Sequence, residues 1–252
     1  MRSPARHPFL LGARPIALAH RGGAREATEN SPTAFAHAVG LGFGYIETDV
    51  RASADGTCFV LHDARLDRTT DRAGAVAQLP AREVRAARLS NGDSPMTLAQ
   101  ALAAWPQVRF NVDVKSDDTV EPFLAAVTAA GAWDRVCAAS FSSSRLRRLR
   151  RAAGPRLATS MGPVEVAALV VGAPLHGPVA AQVPQRVGPA PLVTPNLVRR
   201  AHRRGFDVHV WTVDDPLQMA HLLGIGVDGI VTDCPTVLAD VLRARGLWPG
   251  AR

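Results

Sequence analysis

The sequence predicts a (β/α)8 TIM barrel with a small insertion after its second strand. Short apolar segments that read as strands recur along the chain with helical stretches between them, and setting aside one close hairpin return leaves eight. The 252 residues suit a single barrel domain without division. His20, Glu47, Asp49, Asp113, Lys115, Trp211 and Asp233 all fall at the carboxyl ends of these segments, where this architecture places its chemistry.

The first strand is expected at 16–20, IALAH, after Pro15. A loop with paired glycines follows. Ser31 and Pro32 then offer a helix N-cap and a proline at the first helical position, and that helix ends among the glycines at 40–44. The second strand, 45–50, alternates so that Glu47 and Asp49 project to one side and Ile46 and Val50 to the other. Residues 58–62 are extended again after too short a connection for a helical crossover, so Asp55-Gly56 makes a hairpin turn.

From 64 to 95 the sequence is rich in Arg, Asp, Gly and Ala, with one weak helical stretch near 80–89. The whole excursion, about 51–95, reads as the insertion. A helix at 97–105 resumes the alternation. Strands are then expected at 109–115, 136–140, 156–160, 179–183, 207–213 and 229–232. The helices between them fall near 119–130, up to 153, at 163–171, from the Thr194-Pro195 start, and at 216–223.

Composition narrows the function. Apolar residues make up 47% and charged residues 20%, values of a globular chain with a full core. The net charge of +7 favours phosphate-bearing partners, but no zinc-finger spacing or basic and aromatic platform accompanies it. A negatively charged small molecule is expected, and nucleic acid is not. Three cysteines without C-x-x-C spacing read as free thiols in a reducing compartment. No signal-peptide core or long apolar run is present, so a cytoplasmic location without stable membrane insertion is expected.

Glu47, Asp49 and Asp113 supply hard oxygen donors from neighbouring strands, a set suited to Mg2+ or Ca2+. His20 and His62 flank them as proton carriers. Arg21 and Lys115 can neutralise a phosphate. Lys115 is the only lysine of a chain that otherwise chooses arginine, and its compact ammonium differs chemically from a planar fork. The carboxylates, Arg21 and Lys115 each have a blander reading as ion pairs and a lone histidine at a strand end as a structural residue, and the arginine-rich run 144–151 reads as a solvated helix face.

The blocks AHRGG, TENSPTAF, IETDV, DGTCFVLHDARLDRTT, NVDVK, VWTVDD and GVDGIVTDCP, in this order from Ala19 to Pro235, closely resemble the glycerophosphodiester phosphodiesterase family. The resemblance implies a metal-dependent (β/α)8 barrel that hydrolyses glycerophosphodiesters to an alcohol and sn-glycerol 3-phosphate. It also implies His20 and His62 as general acid and base, and Glu47, Asp49 and Asp113 as metal ligands. Arg21 and Lys115 are implied as phosphate contacts, Glu29 and Asn30 as residues shaping the substrate site, and Trp211 as a wall of the glycerol pocket. The chain departs from the family pattern at Asp113, where glutamate is usual, and at Thr28, Ser31 and Asp214. Two other readings fit the same residues. One is a lysophospholipase D-like enzyme, which a longer apolar groove near the insertion would favour; the other is a barrel that binds phosphodiesters without turning them over.

Overall fold

The computed structural model describes residues 6–248. In chain order its strands are β1 (Ile16–His20), β2 (Tyr45–Ala52), β3 (Cys58–Val60), β4 (Arg109–Val114), β5 (Val136–Ala139), β6 (Ala158–Thr159), β7 (Ala180–Pro184), β8 (Arg186–Val187), β9 (Ala190–Pro191), β10 (Asp207–Trp211) and β11 (Gly229–Thr232). Its helices are α1 (Pro32–Leu41), α2 (Ala81–Ala86), α3 (Leu98–Ala104), α4 (Val120–Ala129), α5 (Ser143–Ala153), α6 (Pro163–Val171), α7 (Pro195–Arg203), α8 (Pro216–Gly224) and α9 (Pro235–Ala244).

Eight parallel strands run in the order β6-β5-β4-β2-β1-β11-β10-β7. The two ends of this series meet through a parallel bridge between Ser160 and Ala180, where the Met161 N–H donates to the Ala180 carbonyl at 2.8 Å. The result is a (β/α)8 barrel, with β3 lying antiparallel on β2 through Val50↔Val60 and Ala52↔Cys58. Strand alternation sets its layers. Outward-facing Ile46, Val50, Phe110, Val112 and Val114 pack beneath Phe35, Leu98 and Phe123 of the surrounding helices.

Helix starts follow the side chains available. Ser31 Oγ accepts from the Ala34 N–H at 3.0 Å with Pro32 at the first helical position. Thr97 and Gln100 exchange bonds in a capping box that opens α3. Between β3 and α3 the chain forms a small cap with its own apolar centre of Phe59, Leu61, Leu66, Val76 and Val84.

A 3-10 turn, the two strands of one hairpin and the last helix lie outside the sequence expectation. The turn, Pro8–Leu10, inserts fully buried Phe9 at the amino end of the barrel. There Phe9 packs edge-on against Tyr45, whose hydroxyl donates to the Phe9 carbonyl at 2.7 Å. The apolar run Phe9–Leu11 is too short to make a signal-peptide core, and it is equally too short to show the periodicity that would have marked its packing role. The β8–β9 hairpin is too short to show alternation, and α9 follows the last strand where the strand count had already closed the barrel.

Candidate active site

His20 is the last residue of β1, and the register Ala19↔Thr232 brings Asp233 of the neighbouring strand beside it. Asp233 Oδ1 lies 2.6 Å from His20 Nδ1, while His20 Nε2 is 3.7 Å from Glu47 Oε2. Asp214 fixes this corner by accepting from the Asp233 N–H at 2.8 Å and from the Thr232 hydroxyl at 2.9 Å. Burial works against a charged His20, but Glu47 and Asp233 outweigh it and hold its pKa above the ordinary value.

After His20 the backbone turns sharply. Arg21 adopts φ 52° and Gly22 φ 84°, and a Cβ on Gly22 would stand 2.8 Å from Ala34 Cβ, so only glycine fits against α1. The turn aims the Arg21 N–H at Glu47 Oε2, 3.2 Å away, and the Arg21 guanidinium at Glu29, 3.0 Å away. Arg21 Nε also reaches to 3.2 Å from Asp49 Oδ2, an ion-pair distance without hydrogen-bond alignment.

Glu47, Asp49 and Asp113 are all buried, and the β2–β4 register sets Asp49 directly opposite Asp113. Lys115 Nζ bridges them, 2.7 Å from Asp49 Oδ1 and 2.7 Å from Asp113 Oδ2. Asn30 Nδ2 donates to Asp49 Oδ2 at 3.0 Å and is itself held by the Thr48 hydroxyl, which donates to Asn30 Oδ1 at 2.7 Å. Burial, reinforced by Asp49, pushes the Glu47 carboxyl up to about 7. Burial also raises Asp113 despite Lys115. For Asp49 burial is overcome by Lys115 and Arg21, and its pKa falls.

The donor chemistry fits a hard divalent cation. All three candidates offer carboxylate oxygens, and Asp113 Oδ1 is buried without a hydrogen-bond partner, an acceptor left unspent. Among the described residues no three His, Cys, Asp or Glu side chains are already drawn into an ion cage. The Lys115 ammonium instead stands between Asp49 and Asp113.

His62 arrives from the other side, carried past the end of β3, where the Leu61 N–H still donates to the Asp49 carbonyl at 3.0 Å. Its Nδ1 is 2.6 Å from Asp63 Oδ1. Arg68 ties this pair to the rest, donating to Asp63 at 2.6 Å and to Glu29 at 2.7 and 2.9 Å. Arg68, first through its hydrogen bond, holds the Asp63 carboxyl well below the usual range.

A cavity of about 650 Å3 opens over these groups and is lined by His20, Arg21, Glu47, Asp49, His62, Asp113, Lys115 and Trp211. Trp211 ends β10 and meets Phe141 edge-on, with ring centroids 5.6 Å apart. Glu29 and Asn30 are not among the lining residues; they stand one layer behind, gripping Arg21 and Asp49. Asp233, Arg68 and Phe141 had no role assigned from sequence. Asp233 and Phe141 each stand just past an expected strand, and Arg68 lies in the block DGTCFVLHDARLDRTT, but none of these positions pointed to a particular role.

A parallel barrel that gathers buried carboxylates, two carboxylate-bound imidazoles and two cations at one mouth belongs among the barrel hydrolases of charged esters. The chain is a member of the glycerophosphoryl diester phosphodiesterase family, whose sequence model matches residues 20–237. It is 42% identical over 254 aligned residues to "Probable glycerophosphodiester phosphodiesterase 2" of Mycobacterium tuberculosis, covering 96% of each chain. A crystal structure from Silicibacter pomeroyi, assigned to the same class, has a TM-score of 0.82 at 25% identity over 96% of this chain and 100% of that one. An Oleispira antarctica phosphodiesterase in complex with the product sn-glycerol-3-phosphate shares the fold, with a TM-score of 0.76 at 21% identity over 91% of this chain and 97% of that one.

Proposed function

We propose that this phosphodiesterase hydrolyses glycerophosphodiesters to an alcohol and sn-glycerol 3-phosphate, with His20 and His62 as its acid and base. One observation carries the reading: two histidines from different elements line one cavity, each with a carboxylate 2.6 Å from Nδ1. A carboxylate on Nδ1 fixes the tautomer, commits Nε2 to the substrate and favours the imidazolium once a proton arrives. One Nε2 takes the proton of the attacking oxygen as its bond to phosphorus forms. The other gives a proton to the alcohol oxygen as its bond to phosphorus breaks.

Arg21 and Lys115 face the same space and offset the negative charge of the phosphate oxygens. Glu29 and Asn30 keep Arg21 and Asp49 in place, and Trp211 gives the glycerol carbons an apolar wall. Glu47, Asp49 and Asp113 would hold a divalent cation, Mg2+ or Ca2+, which when bound supplies Lewis-acid polarisation of the phosphoryl group. The product found with the Oleispira antarctica protein supports the same product here.

The test is hydrolysis of glycerophosphocholine in Mg2+, Ca2+ or chelator. His20→Ala and His62→Ala are each expected to lower kcat by about a hundredfold or more. Full activity in either variant would remove that histidine from the reaction, and indifference to chelator would remove the cation.

A further inference from the structure

We propose that Gln182 is a specificity-determining residue of this site: its side-chain carbonyl, held at the cavity floor by Asn111 and His209, accepts a hydrogen bond from a hydroxyl of the substrate's glycerol unit. This rests on the phosphodiesterase reading and names a residue by which the site would recognise glycerol.

Gln182 lies in the middle of β7 and lines the cavity, while His209, its register partner on β10, is fully buried. Gln182 Nε2 donates to Asn111 Oδ1 of β4 at 2.8 Å, across the barrel interior, and stands 3.3 Å from His209 Nδ1. An amide nitrogen donates and does not accept, so His209 Nδ1 is the acceptor and the ring proton belongs on Nε2. Asp207 favours that tautomer, since its buried Oδ2 faces Nε2 at 3.9 Å. Gly229 makes room for the ring. A Cβ there would stand 2.9 Å from His209 Cδ2.

With the amide N–H groups turned to Asn111 and His209, Oε1 is left over. It accepts no hydrogen bond from the described residues, and it is not among the polar atoms sealed in the interior without a partner, so it opens on the cavity that Gln182 lines. An acceptor placed there calls for a donor. The phosphate oxygens of a diester accept, and a quaternary ammonium has no N–H, which leaves the hydroxyls of glycerol.

Position points the same way. Trp211, the proposed wall for the glycerol carbons, stands two residues beyond His209 and opposite Pro184, itself two residues beyond Gln182. Strand alternation therefore sets the Gln182 amide one layer beneath that wall. Its partner Asn111 is level with Glu47, and Glu47 with His20, so the amide also reaches the row of residues proposed to carry out the reaction. A ligand lacking the hydroxyl would displace water from Oε1 and offer nothing in return.

The test is binding of sn-glycerol 3-phosphate and of the monophosphates of propane-1,2-diol and propane-1,3-diol, each short of one hydroxyl, by titration calorimetry in Mg2+. The parent should bind sn-glycerol 3-phosphate about tenfold to a hundredfold more tightly than one of the two diol phosphates. Gln182→Met, of similar size but without the carbonyl, should bring that ratio close to one, chiefly by weakening glycerol 3-phosphate. His209 acts through Gln182 as a positioning residue. His209→Leu should therefore lower the ratio, and His209→Asn, whose amide oxygen can stand where Nδ1 does, should restore it. Thermal melts report folding, and the His209 pair decides if Gln182→Met does not fold.

A parent that binds all three ligands equally, or none of them, overturns the inference, as does a ratio unchanged in folded Gln182→Met. Gln182→Met that alters the preference between glycerophosphoethanolamine and glycerophosphocholine, with the diol ratio intact, assigns the carbonyl to a headgroup ammonium and also overturns it. Absence of glycerophosphocholine hydrolysis by the parent counts against the phosphodiesterase reading, and the binding ratio still decides the role of Gln182.

Discussion

Asp233 holds His20 across 213 residues of sequence, its Oδ1 2.6 Å from the ring Nδ1, because β11 and β1 are neighbours in the barrel. The contact engages Nδ1 and leaves Nε2, 3.7 Å from Glu47, as the nitrogen available for the proposed proton transfer. Asp233→Asn keeps the shape but offers an amide that can leave the wrong tautomer. We expect kcat to fall by about a hundredfold or more with little change in KM and an unchanged melting temperature. Steady-state kinetics beside a thermal melt checks this, and an unaltered kcat would deny Asp233 any part in orienting His20.

Lys115 is expected to matter most when no divalent cation is present. Its ammonium is shared by buried Asp49 and Asp113, so Lys115→Met leaves Asp113 without its cation and Asp49 with only Arg21 and Asn30, and should cost about 3 kcal/mol of stability in chelator. Mg2+ or Ca2+ should recover part of the loss. Lys115→Arg should not restore the parent, since a planar fork cannot replace a point charge between two facing carboxylates. Urea melts with and without cation measure this, and equal losses in both conditions would contradict it.

The cluster of Arg68 with Glu29 and Asp63 predicts an acid-side loss of stability. Burial opposes the charge on Glu29, yet Arg68 and Arg21 prevail, and both carboxyls have pKa values lowered in the folded protein. Groups of this sign stabilise the fold above their unfolded pKa, near 4, and lose that contribution as pH falls through the folded value. Arg68→Met should therefore separate from the parent at pH 6–7 by about 1 kcal/mol or less, given solvent screening. The difference should begin to narrow below about pH 4 and keep narrowing as pH falls further. Urea melts across that range decide it, and a gap that widens in acid would reverse the assignment.

Phe9→Ala is expected to destabilise the barrel by about 3–5 kcal/mol, because a fully buried ring at its amino end is removed. Hydrolysis at the opposite mouth should persist at temperatures where the variant is folded. A loss under 1 kcal/mol would mean that the barrel closes without this plug.

The strands and most of the site were legible because both follow short-range rules. Strand alternation put Glu47 and Asp49 on one side and Ile46 on the other, and the folded barrel keeps that division. The short connection to Cys58 excluded a crossover, and β3 is antiparallel. What stayed hidden depends on contacts between remote segments. Phe9 meets Tyr45 only once the barrel exists, and Arg68 meets Glu29 only once the insertion folds back over the loop after β1. The positioning roles of Glu29 and Asn30 were obscured for a related reason: sequence gives proximity to a site without the layer in which a side chain stands.

The return strand has one more consequence. His62 is carried by an excursion whose removal would not open the ring, since β2 pairs with β1 and β4 independently of β3. The enclosure that stabilises the molecule and the arm that brings its second imidazole are thus separable parts. Such a molecule can acquire new selectivity by reshaping an appendage while its frame stays fixed.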